Sequence, residues 1–154
     1  MQDLAQKRGA ILEKWLEQTL ATYPSQAAGF LRNEKDRFHN PVGATLKEGL
    51  ATLLDEITGE MDMAKVRPAM ESIVRVRAVQ DFTAAQATGF IFALREILSE
   101  TFEGGGLPSW AGRIDQMALL AFDLYTGCRE EIYEIKARER QRAVYVGERM
   151  GHRA

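Results

Sequence analysis

Cysteine is almost missing. Cys128 is the only one in 154 residues, so no intrachain disulfide can form. Histidine is nearly as scarce: His39 precedes an Asn-Pro pair and His152 stands in the tail. With no HExxH, no His/Cys cluster and no CxxC, the spacing that holds a metal is absent. Neither sign of charge dominates. The 20 Lys+Arg against 22 Asp+Glu leave a formal net charge of −2, which provides no global field toward nucleic acid or an anionic membrane. No apolar run approaches the ~18 residues that span a bilayer. The opening MQDLAQKRGAILEKW is polar and amphipathic, without the apolar stretch of a signal peptide. A cytoplasmic protein is expected, with no membrane insertion and no nucleic-acid partner. Period-two strand patterns, internal repeats and low-complexity tracts do not stand out either.

What the chain has is helical periodicity, and 45% hydrophobic residues to bury. That is enough for one domain with a real core. Its organising stretch is 69–102, where two helical patterns meet at a corner. Thr83 followed by Gln86 is a capping box, in which each side chain satisfies a backbone N–H at the helix start. Beyond it Ala87, Phe90, Ile91, Leu94, Ile97, Leu98 and Phe102 recur at helical spacing. Phe92 and Ala93 fill the other sides, which predicts a helix buried all round.

Elsewhere a first helix is predicted over 3–22, with Leu4, Ile11, Leu12, Trp15, Leu16 and Leu20 on one stripe. Ser25 is placed to cap a short second one. Asn40-Pro41 is a helix start and Gly59 a stop. Pro68 breaks a helix interior, so the next regular segment is expected from about Arg67 to Gln80. Gly104-Gly105-Gly106 reads as a hinge. The last helix is expected from Leu107 or Ser109 to about Tyr145, with its end projecting from the body. The fold class is all-α with a long C-terminal helix: one domain over 1–154, with 137–154 a projecting or frayed tail.

Chemistry is thin. No Ser/His/Asp set and no paired catalytic carboxylates are identifiable, so no catalytic residue, cofactor or metal ligand is assigned. The span 67–135 has no histidine to serve a haem iron. Cys128 lies on the apolar stripe of the last helix and reads as a small buried hydrophobe. The tail from Arg129 to Arg149 mixes six basic with five acidic residues, the mark of a solvated helix face. Two charges are candidates for a buried polar or regulatory site: Arg77 continues the line of Met70, Ile73 and Val74, and Asp123 is embedded in MALLAFDLY. Buried charges need partners, so Arg77 or Arg95 is expected to pair with Asp123. Leu119, Leu120 and Phe122 point away from the Met117–Ala121–Leu124 stripe and are expected to need a second surface, that of a homodimer.

Three phrases together resemble a known family: RFHNPVGATLKEGLATLL at 37–54, IVRVRAVQDFTAAQATGFIFALREIL at 73–98 and RIDQMALLAFDLYTGCREEIYEIKARE at 113–139. They resemble the N-terminal domain of RsbT co-antagonist proteins, the RsbR/RsbRD family of bacterial stress-signalling regulators. The resemblance implies a globin-like helical fold used as a non-haem sensory or interaction module, usually dimeric. It also implies a helix joining such a domain to a C-terminal STAS domain that contacts a switch kinase. The sequence ends at Ala154 without a STAS domain, so the expectation is a free-standing, non-enzymatic sensory domain acting on another protein chain. The alternative is an accessory or binding protein of a larger redox or metabolic assembly; a small-ligand carrier is a third reading.

Overall fold

The structure, a computed structural model, describes residues 2–80, 82–103 and 107–151; of Gln2, Leu107 and Pro108 only the backbone is described. Among these residues the chain forms helices and no strand. They are α1 (Gln2–Leu20), α2 (Ser25–Asn33), α3 (Pro41–Thr58), α4 (Met63–Val79), α5 (Ala84–Thr88), α6 (Phe90–Thr101) and α7 (Leu107–Gly151). The all-α class and the long last helix agree with the periodicity of the sequence. The glycine triplet at 104–106 and His152 lie outside the described residues.

Local chemistry accounts for most boundaries. Asn40 caps α3 by accepting from Gly43 N at 2.9 Å, and its amide donates to Leu31 O and Glu34 O, both at 3.0 Å. One side chain thus fastens the end of α2 to the start of α3. A Cβ at Gly43 would collide with Asn40 and with Leu31 O, so this junction needs glycine. α2 itself starts without a side-chain cap: Pro24 is its N-cap and Ser25 its first residue. α4 begins earlier than expected, at Met63, because the Asp62 carboxylate accepts from Ala64 N at 3.0 Å. Pro68 sits inside the helix. Ala64, whose carbonyl the proline leaves without a helical donor, is exposed, so water can serve it. α7 runs past Tyr145 to Gly151.

The helices close a ring. α1 packs on α3, α3 on α4, α4 on α7, α7 on α6 and α6 back on α1. Ile11, Trp15, Leu50, Leu53, Ile73, Leu94 and Ile114 meet inside it, each with 1% of its surface exposed or less. α3 and α4 approach closely at Gly49, where a Cβ would lie 2.6 Å from Ile73 Cδ1. The Trp15 indole donates to Phe90 O at 2.7 Å and so anchors α6 on α1. One expectation fails here. α6 buries Phe90, Ile91, Leu94, Ile97 and Leu98, but Phe92 is 48% exposed, with the Arg95 guanidinium 5.7 Å from its ring. The helix is therefore amphipathic, and the Thr83 segment is divided by a turn at Gly89 into α5 and α6.

Candidate functional site

The corner between α4 and α6 is built around a charge. Thr83 Oγ1 accepts from Gln86 N at 3.2 Å, and Gln86 Oε1 accepts from Thr83 N at 3.0 Å, so the expected capping box is formed. This box turns the Gln86 and Ala87 carbonyls toward the last turn of α4, where Arg77 is fully buried. Arg77 Nε donates to Ala87 O at 3.1 Å. Its Nη2 donates to Gln86 O at 2.6 Å and to Thr22 Oγ1 at 3.2 Å. Three rings enclose the guanidinium: Phe82 at 4.6 Å, Phe90 at 5.6 Å and Tyr23 at 5.7 Å from its central carbon. Nη1 has no hydrogen-bond partner among the described residues. Burial lowers the pKa of Arg77, opposed by its nearness to Tyr23. Burial raises that of Tyr23, against the pull of the same arginine.

Asp123 takes no part in this. It is exposed on α7, and the expected pair with Arg77 is replaced by carbonyl and hydroxyl acceptors. Arg95 pairs with Asp115 on α7 instead. The sequence suggested burial for Asp123 because apolar residues surround it along the chain; on a helix, those neighbours point elsewhere. The three residues expected at an interface also separate. Leu119 and Phe122 are 70% and 54% exposed, while Leu120 turns into the core.

α7 is fastened to the corner by two hydrogen bonds that sequence reasoning missed. Tyr125 Oη donates to Phe82 O at 2.7 Å, and Arg129 Nη1 donates to Ala78 O at 3.1 Å. The second serves a carbonyl at the end of α4, where no glycine cap closes the helix; that missing cap was the available signal. Arg113 does the same for α3, donating to Ile57 O at 2.7 Å and Gly59 O at 2.6 Å. Beside the corner lies an open groove of about 530 Å3, with Phe82, Thr83 and Ala84 on one side and Phe122, Thr126, Glu130 and Tyr133 on the other. Beyond it, every residue of α7 from Tyr133 to Gly151 is exposed, among them Ile135, Val144, Tyr145, Val146 and Met150.

Burial raises the Cys128 thiol's pKa, and no group of three or more His, Cys, Asp or Glu side chains among the described residues is arranged to hold a metal. No helix among them is long and apolar enough to cross a membrane. These features define a small all-α domain whose exposed apolar surface is concentrated on one protruding helix. The chain belongs to the family of the RsbT co-antagonist protein rsbRD N-terminal domain, whose family model matches residues 9–140. That family is one of regulatory signalling domains. Neither a curated protein nor a solved structure matches the chain.

Proposed function

We propose that this domain is a non-enzymatic sensory and regulatory module of bacterial stress signalling, working in the cytoplasm as a homodimer and passing its signal to a protein partner through α7. The observation that carries the reading is the protruding half of α7: a helix exposed on all sides from Tyr133 to Gly151, yet bearing Ile135, Val144, Val146 and Met150. Apolar side chains held this far from the body gain nothing from folding of the body. They gain from association. Family membership supports signalling as its purpose, and stressosome-type assemblies are the setting in which such domains act.

The arrangement around Arg77 supports a sensory role for the body. A buried cation joins the end of α1, the end of α4 and the corner, and the same corner is hydrogen-bonded to α7 at Tyr125 and Arg129. A change in packing there reaches α7 directly. The test is affinity capture of partners from native lysate, with mass spectrometry. Recovery of a STAS-domain protein or a switch kinase is expected. Recovery of the subunits of a redox or metabolic assembly would turn the reading to an accessory protein.

A further inference from the structure

Arg77 is a buried cation whose needs are only partly met. It is fully buried, yet the acceptors of its guanidinium, two carbonyls and a hydroxyl, carry no formal charge. No ion pair among the described residues includes it. Nη1 is left without a hydrogen-bond partner. Buried charges are ordinarily paired and buried donors ordinarily satisfied. This group is short of both an anion and an acceptor. Water can supply the acceptor but not the charge.

The ring nearest the guanidinium, at 4.6 Å, is that of Phe82. Phe82 is half-buried and stands outside any helix, between α4 and α5. Among the described residues it is the one that belongs both to the cage of rings around Arg77 and to the wall of the groove of about 530 Å3. Small molecules occupy clefts of roughly 300–1,000 Å3. The α7 side of this groove presents the rings of Phe122, Tyr125 and Tyr133, surfaces that favour a flat apolar body. Glu130 lines it too and repels a second negative charge.

We propose that this corner binds a small monocarboxylate with an aromatic body. The Phe82 ring gives way, the carboxylate accepts from Arg77 Nη1, and the body lies in the groove against α7. This rests on the sensory role given to the corner above and names the class of signal it takes. A carboxylate brings the missing charge and the missing acceptor together, in a charge-assisted hydrogen bond. Phosphates and dicarboxylates suit the site less, since one guanidinium nitrogen is unused and Glu130 flanks the groove. The corner forms one side of the groove and α7 the other, so an occupant touches both and its binding bears directly on the helix.

Calorimetry of the full chain with benzoate, phenylacetate, 3-phenylpropionate and indole-3-acetate tests it. At least one should bind once per chain, with a Kd of about 1 mM or below. The neutral amide of the best acid should bind at least about tenfold more weakly. Trp15, stacked on Phe90 beside the guanidinium, should change its emission as the acid seats. Thr126→Glu, an exposed change on the α7 side of the groove, sets a second carboxylate near the ligand and should weaken binding about tenfold, whereas Thr126→Gln, of the same size, should stay within about threefold. Arg77→Met should abolish binding; if circular dichroism shows that variant unfolded, the Thr126 pair decides. No saturable binding by any of the four acids, equal binding of acid and amide, or binding indifferent to Thr126→Glu overturns the site and leaves partner capture through α7 standing. A chain that binds the acids but captures neither a STAS-domain protein nor a switch kinase keeps the site and loses the signalling reading.

Discussion

Arg77 is held by acceptors that carry no formal charge: two carbonyls and a hydroxyl. Replacing it leaves the buried Ala87 carbonyl and the part-buried Gln86 carbonyl without this donor, and a buried acceptor left alone costs ~1–3 kcal/mol. Arg77→Met should therefore lower stability by ~2–4 kcal/mol, softened because a buried charge is also removed. Asp123→Asn on the exposed face should change it by less than ~0.5 kcal/mol. Urea unfolding of both single variants and the double should give additive losses; a coupling well above ~0.5 kcal/mol would show that the two charges sense each other.

A pH prediction belongs to the same scale. Burial pushes up both the Tyr23 phenol, from an ordinary 10.0, and the Cys128 thiol, from 9.0. The unfolded chain thus releases these protons at lower pH than the folded one, and the folded state binds more protons in between. The contribution of these two groups to stability should be level below about pH 8.5 and should fall as pH rises from there through the raised values. Cys128→Ala should remove the earlier part of that fall in unfolding curves at successive pH values. The burial of Arg77 was legible from its line with Met70, Ile73 and Val74. Its partners were not, because Thr22, Gln86 and Ala87 reach it only once α1 and the corner have docked.

At the scale of elements, the corner and the core helix carry different weights. Thr83→Ala removes one cap oxygen and should cost ~1 kcal/mol. Phe90, 4% exposed and stacked 6.2 Å from Trp15, should cost ~3–5 kcal/mol on truncation to alanine. Phe92→Ala, on the exposed side of the same helix, should be close to neutral, and chemical denaturation ranks the three. Helix starts were readable where the chemistry is local, as at Asn40-Pro41 and Thr83. Reading failed where solvent decides: Pro68 is tolerated inside α4 because the carbonyl it leaves is wet, and α6 looked uniformly apolar although one side faces water. The caps from Arg113 and Arg129 were invisible for the same reason as the partners of Arg77. They join residues more than fifty positions apart, 51 for Arg129 to Ala78 and 56 for Arg113 to Ile57.

For the whole molecule, haem is the ligand that the implied fold brings to mind, and its usual ligand, histidine, is scarce. His39 is exposed just before α3, and no histidine occurs from α3 through Gly151. A haem iron takes a proximal side-chain ligand, most often histidine. Titration with haemin should therefore give no stoichiometric complex with a sharp Soret band. A band that disappears in His39→Ala would contradict this.

The 45 residues of α7 have a mechanical consequence. The base of the free half is gripped by the Tyr125 and Arg129 hydrogen bonds and by the Arg75–Glu131 ion pair at 3.4 Å. From Arg129 to Gly151, at ~1.5 Å per residue, the arm is roughly 33 Å long. A tilt of about 10° at the grip carries the tip through roughly 6 Å, more than the width of a side chain, with no bond in the arm changed. The helix is in that sense a lever with its fulcrum at the Arg77 corner, and a repacking of the aromatic rings there would move its far end.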